Sequence, residues 1–230
     1  MRTIGILGGC SDIATGHMYG RINRLGNARL GGWHIPETLI TGMDFGVVER
    51  CVREDDWDEL SAYMGRHLDR LAPADIVICG SNTVHKILPD LMAGREQTFL
   101  HIYTPTAREA KRRGLRKLAL FGTLPTMSGG YAEAYYAEHD LEIVVPSAQE
   151  KADIDRIIFD ELCRADIRAP SRQRYVEIAE RLREENGAEG LILGCTEIET
   201  LVKPDDVPGL AYLDTMELLC REAVDLALAT

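Results

Sequence analysis

A displacement of 114 residues, kept at two separate places, constrains the fold of this chain more than any other feature. Gly8, at the end of the apolar run "TIGILGG", stands over Gly122, at the end of "KLALFGT". Ser81 in "DIVICGS" stands over Cys195 in "GLILGC" at the same displacement, with no gap. Around this second pair "PADIVICGS" lies over "GAEGLILGC", matching Ala74 with Ala188 and Gly80 with Gly194. One such match is common, because an apolar strand running into a glycine turn is generic to α/β folds. Two at a single displacement argue for a duplicated α/β unit.

The rest of the pattern fits two such units. Strands are expected over 3–9, 38–45, 75–81 and 99–103, then over 117–123, 142–146 and 190–195. Helices are expected between them, over 11–30, 54–72, 83–93, 105–114, 128–139, 149–165 and 171–186, with a terminal helix over 214–229. Ser11 or Asp12 can cap the first helix. The acidic start of the second suits the positive end of its dipole. Apolar strands alternating with amphipathic helices predict parallel sheets flanked by helices. The expected division is 1–104 with 212–230, and 105–211: two pseudo-symmetric α/β domains. Parallel sheets take ligands beyond the carboxyl ends of their strands. If the halves face each other, Ser81 and Cys195 approach one ligand from opposite sides, which puts the active site in the interdomain cleft.

Composition narrows the partners. The formal net charge of −11 argues against nucleic acid, which needs a basic footprint, and against anionic membranes. No apolar run reaches the roughly 18 residues of a spanning helix. The start "MRTIGILGG" meets glycines too early for a signal sequence, so a cytoplasmic protein is expected. Cysteines 10, 51, 79, 163, 195 and 220 form no CxxC pair, which argues against zinc, and thiols rather than disulfides are expected in a reducing cytosol. "GILGGCS" is not GxGxxG and no GxxxxGK[ST] occurs, so neither a dinucleotide nor a P-loop nucleotide is indicated.

The strand ends carry the chemistry. The glycine turn at Gly9 could hold a small anion on backbone amides, and Cys10 adds a thiol there. Asn82, Thr83 and Thr196, with Thr123 close by, offer donors for a carboxylate; each is equally a helix-cap type. Cys195 is the sharpest candidate. A cysteine between a strand end and a helix start is expected to have a lowered thiol pKa and can act as base or nucleophile. Glu197 and His85 are near in sequence and could tune proton transfer.

"IGILGGCSDIAT", "SNTVHK", "GT" at 122–123, "IIFDELC" and "GCTEI" together resemble the aspartate/glutamate racemase superfamily over essentially the whole chain. The resemblance implies two pseudo-symmetric α/β domains, no cofactor, a homodimer, and a small amino-acid or carboxylate substrate. It implies Cα proton transfer between two opposed cysteines, and α-carboxylate contacts by Asn82, Thr83 and Thr196. Three departures stand out. Ser81 replaces the first cysteine, and an alcohol is far less acidic than a thiol; this predicts asymmetric transfer, with Cys195 as main acid/base and Ser81 or a water serving the other face. Arg53 matches a basic position of the family, but Val52 stands where relatives of acidic substrates carry a polar residue. Asp153 falls where those enzymes place a lysine, unless the register shifts to Lys151. If it lines the pocket, a second substrate carboxylate is repelled. The leading expectation is a cofactor-independent racemase or epimerase. The alternatives are a single-cysteine decarboxylase or isomerase of the same superfamily, and a degenerate carboxylate-binding protein.

Overall fold

The alternating apolar runs become two four-stranded sheets in the computed structural model, which describes residues 1–229. In the first unit β1 (Ile4–Gly8) leads to α1 (Asp12–Leu30), β2 (Thr38–Gly42), α2 (Phe45–Arg53), α3 (Trp57–Arg70) and β3 (Ile76–Ile78). A 3-10 turn (Thr83–Lys86), α4 (Leu88–Met92) and β4 (Thr98–Phe99) follow. The second unit opens with α5 (Tyr103–Arg112), β5 (Lys117–Gly122), α6 (Leu124–Ser128), α7 (Tyr131–Ala137), β6 (Glu142–Val144) and α8 (Ala148–Asp160). It continues through a 3-10 turn (Leu162–Arg164), α9 (Ala169–Asn186), β7 (Gly190–Gly194), α10 (Ile198–Leu201), a 3-10 turn (Pro204–Asp206) and β8 (Ala211–Asp214). Helix α11 (Thr215–Leu228) returns the chain to the first unit, which comprises Met1–Ile102 and the chain from Met216.

Both sheets are wholly parallel, with strand orders β2-β1-β3-β4 and β6-β5-β7-β8. The duplication survives at the level of hydrogen-bond register. Ile4 pairs with Ile76 in the first sheet, and Leu118 pairs with Gly190 in the second. Each partner in the second pair lies 114 residues beyond its counterpart. A one-residue slip would turn every side chain to the other face, so equal register gives the residues just past the strand ends equivalent positions in the two units. Strands β1 and β7 are buried along their whole length, as parallel strands covered on both faces must be.

Each unit has its own core. Leu7, Leu60, Met64, Leu68, Val77 and Val84 pack together in the first. Phe121, Ile154, Ile158, Tyr175, Ile178 and Leu193 pack together in the second. Helix α1 starts at Ser11, whose hydroxyl accepts from the Ala14 amide. Helix α8 starts with a capping box between Ser147 and Glu150.

The structure departs from the sequence expectations at several elements, among them the unexpected short helices α6 and α10 and the strand expected over 99–103, which is only Thr98–Phe99. The strand expected over 38–45 ends at Gly42, and the stretch after it, for which no element was expected, is helix α2, capped by Asp44 and burying Val48 and Cys51. The helix expected over 83–93 is a 3-10 turn followed by the short α4. The helix expected over 149–165 stops at Asp160, and Cys163 lies on a separate 3-10 turn. The expected boundary at 211/212 falls inside β8, an unexpected strand that pairs with β7 and so belongs to the second sheet. Among the described residues no helix is long and apolar enough to cross a membrane.

Candidate functional site

The first unit gathers its candidates at the carboxyl ends of β1 and β3. After β1, Gly9 has a φ of +91°, and a Cβ there would lie 2.2 Å from the carbonyl oxygen of Met43. Only glycine fits this turn. Its amide donates to Thr15 Oγ1 at 2.8 Å, and the Thr15 hydroxyl donates to the Ser11 carbonyl at 2.7 Å. The Gly9 amide, expected to hold an anion, is thus spent on closing the turn onto α1. Cys10 instead hydrogen-bonds the Cys79 thiol, lowering the Cys79 pKa against the opposing effect of burial; the backbone of Ser81 lowers it further. Cys79, which the sequence pattern did not single out as a partner of Cys10, is buried in the first core just past β3. A signal was available: it lies two residues before Ser81 on the same strand end.

After β3 the chain turns through Ser81, Asn82 and Thr83. Ser81 is half-buried, while Asn82, Thr83 and His85 are buried. His85 Nδ1 lies 2.7 Å from the Ser81 carbonyl oxygen, and the Ile102 amide donates to His85 Nε2 at 3.2 Å. Burial, reinforced by neighbouring His101, holds the His85 pKa well below the usual imidazole value, so the ring is neutral at pH 7. Its bond is to the main chain of the turn.

The second unit gathers its candidates at the ends of β5 and β7, where Gly122 pairs with Gly194. A Cβ on Gly194 would lie 2.8 Å from the Phe121 carbonyl oxygen, so glycine lets the two strand ends close up. Thr123 comes directly after β5; its hydroxyl lies 3.1 Å from that of Thr126, which also receives the Tyr131 hydroxyl at 3.1 Å. The next amide, Leu124, donates to Asp155 Oδ1 at 2.6 Å, so α8 buttresses this loop with Asp155.

Cys195 comes directly after β7. Its Sγ donates to Glu197 Oε2 at 3.0 Å, and the Thr196 hydroxyl donates to the same oxygen at 2.8 Å. Thr196 and Glu197 are buried and Cys195 is half-buried. The expected lowering of the thiol pKa is overturned. Burial first, then the Glu197 carboxylate, push the Cys195 thiol well above its usual value, with Cys163 adding to the shift. Helix α10 spans only four residues, too short for a helix dipole to offset an adjacent carboxylate. The thiol is therefore protonated at neutral pH, with its hydrogen aimed at a buried acceptor.

The side-chain candidates are engaged elsewhere. Arg53, at the end of α2, hydrogen-bonds Glu49 through Nε at 2.6 Å. Val52 packs on the first core. Asp153, expected as an unbalanced negative charge, is bound by Arg174 of α9 at 2.8 and 3.0 Å and by Gln149 at 3.1 Å. The Arg174 bond is the main reason its carboxyl titrates below the usual range. Its charge is offset locally, which removes the premise for repulsion of an acidic substrate.

Comparison with known proteins places the sequence and the fold. The profile of the Asp/Glu/Hydantoin racemase family matches residues 7–223. A candidate Asp/Glu racemase from Yersinia pestis is 31% identical, with each chain covered over 100% of its length and a TM-score of 0.90. An aspartate racemase homologue from Pyrococcus horikoshii is 29% identical, again with 100% of both chains covered and a TM-score of 0.85. The aspartate racemase of Picrophilus torridus shares the fold at 17% identity, covering 99% of this chain and 94% of its own, with a TM-score of 0.74.

Proposed function

The chain belongs to the Asp/Glu/hydantoin racemase family, and on that premise we propose that it is a PLP-independent amino-acid racemase or epimerase with Cys195 as its main acid/base. The hydrogen bond from Cys195 Sγ to Glu197 Oε2 at 3.0 Å carries the reading. A buried carboxylate beside the thiol gives its proton somewhere to go. A pure binder of carboxylates gains nothing from that pair.

In the proposed cycle Asn82, Thr83 and Thr196, with Thr123 close by, hold the substrate α-carboxylate. Glu197 takes the thiol proton, and the Cys195 thiolate then removes the Cα hydrogen. The Cα–H bond breaks, its proton joins Sγ, and the electron pair is delocalised into the carboxylate. A proton from the Ser81 hydroxyl, or from a water bound to it, adds to the opposite face of Cα and is replaced from solvent, while Glu197 releases the proton it took from the thiol to solvent and so resets the pair. In the reverse direction Ser81 must deprotonate carbon, which an alcohol does poorly. The two enantiomers therefore differ in exchange rate, while the equilibrium between them stays near one. The Asp153–Arg174 pair offsets the charge that argued against acidic side chains, so aspartate and glutamate belong in the substrate panel beside neutral and basic amino acids. The proposal includes a cytoplasmic homodimer, and sedimentation of the purified chain tests the dimer.

The test is a panel of L- and D-amino acids incubated with the enzyme in D₂O and followed at Cα by NMR. Deuterium wash-in for at least one pair supports the reading. No exchange across acidic, neutral and basic members sinks it, and CO₂ release from a malonate-type substrate would favour the decarboxylase.

A further inference from the structure

The turn after β3 is held by a side chain whose position no strand pairing explains. His85 is 2% exposed and bridges two stretches of main chain. On one side is the Ser81 carbonyl at 2.7 Å, and on the other the Ile102 amide at 3.2 Å. These partners fix the tautomer. An amide N–H can only donate, so Nε2 accepts; a carbonyl can only accept, so Nδ1 carries the hydrogen. The ring plane is fixed as well. Phe99 stacks on it at 5.8 Å between centroids with 21° between planes, and His101 meets it edge-on at 4.6 Å. Ile102 is the last residue of the first unit, and the chain passes into the second at Tyr103.

The repeat sharpens the point. At the displacement of 114 residues Glu199 stands where His85 would be. In that turn the carbonyl of Glu197 accepts from the Thr200 hydroxyl at 2.6 Å, a contact within the same short stretch. The two halves thus place different side chains, an imidazole and a carboxylate, at corresponding positions of the turn.

We propose that His85 is a positioning residue: its Nδ1–H tautomer clamps the Ser81–Thr83 turn to the connector at Ile102, and so fixes where the Ser81 hydroxyl and the Asn82 and Thr83 donors stand. It moves no proton in the reaction. This rests on the racemase reading for its consequence in turnover, but not for the clamp itself.

Three variants separate the two bonds. His85→Asn keeps a donor near the Nδ1 position and loses the acceptor for Ile102. His85→Gln keeps an acceptor near the Nε2 position and loses the donor to Ser81. His85→Phe keeps the stacked ring and loses both. Hydrogen exchange of the whole protein, read without substrate, should speed up in residues 80–84 for His85→Phe and His85→Gln but not for His85→Asn. At Ile102 it should speed up for His85→Phe and His85→Asn but not for His85→Gln. In selectively ¹⁵N-histidine-labelled wild-type protein the His85 proton should reside on Nδ1. In the Cα-exchange assay His85→Phe should lose about 100-fold in kcat, the scale of a small misplacement of reacting groups, with His85→Asn recovering most of it. An Nε2–H tautomer overturns the proposal. So does equal loosening of both segments in all three variants, which would mean that His85 only fills space, or unchanged exchange in His85→Phe. Because the exchange and tautomer measurements need no substrate, they judge the clamp even if the wild-type protein racemises nothing.

Discussion

Glu197→Gln separates the two effects of this carboxylate. Gln is nearly isosteric with the buried Glu197 but can no longer take a proton. It also ends the repulsion that adds to burial in keeping Cys195 protonated. A hydrogen bond to a charged group contributes about 1.5–3 kcal/mol, and the bond from Cys195 to the carboxylate favours the thiol form by an amount of that order. At about 1.4 kcal/mol per unit, its loss should drop the thiol pKa by roughly one to two units. The thiolate fraction near neutrality then rises roughly 10- to 100-fold, and the lower intrinsic nucleophilicity of a less basic thiolate cuts the gain in reactivity to roughly three- to tenfold. Turnover should move the other way, falling about 100-fold or more, because general acid–base catalysis contributes on that scale. The assay pairs the rate of iodoacetamide alkylation of Cys195 against pH with the rate of Cα deuterium exchange on the best substrate. Thermal unfolding shows that the variant is folded. Faster alkylation with slower exchange is the expected signature. Alkylation no faster than wild type, with exchange retained, would refute both the contribution of Glu197 to the high thiol pKa and its role as proton acceptor.

Ser81→Ala should slow exchange from one enantiomer by about 100-fold and from the other far less, read by NMR in D₂O; equal rates from both, surviving the substitution, would end the asymmetric scheme. Gly9→Ala should destabilise the protein by about 3 kcal/mol or more in urea unfolding, because a positive φ and a backbone clash at 2.2 Å act together; a loss under about 1 kcal/mol would contradict the turn as described. Glu150 tests an ion pair away from the site. Burial alone would raise its carboxyl pKa, but bonds from Arg181 and Ser147 hold it down at about 2. A depressed carboxyl stabilises the fold above its unfolded pKa near 4.5, and that contribution fades as pH falls toward 2. Glu150→Gln should therefore cost on the order of 2 kcal/mol at pH 7, allowing for the partly exposed Arg181, and progressively less in acid. A pH-independent difference in urea midpoints would count against it.

The sequence by itself determined the architecture. Strand–glycine endings at one displacement of 114 residues predicted the duplication, and the paired registers of β1–β3 and β5–β7 carry it. Buried parallel strands read as apolar runs, and glycines at the ends of adjacent strands are demanded by close approach, so both leave a local trace. "SNTVH" and "GCTEI" follow β3 and β7, at corresponding strand ends of the two sheets. Short elements were harder to read. Helix α2 and strand β8 owe their form to partners distant in the chain: α2 buries Val48 and Cys51 in the core it shares with Leu60 and Met64, and β8 hydrogen-bonds β7. The chemistry of the candidate site was decided by tertiary structure almost throughout. Position before a helix suggested an acidic thiol, but burial and the orientation of Glu197 make Cys195 a weak acid. Asp153 was legible as a charge, and only the fold brings Arg174, 21 residues away, to offset it. His85 was legible as a titratable group beside the turn, but its bond to an amide 17 residues on makes it a fixed, neutral bridge. Sequence spacing sets which residues share a strand end; pKa, charge balance and tautomer depend on the dielectric and the partners that distant segments bring.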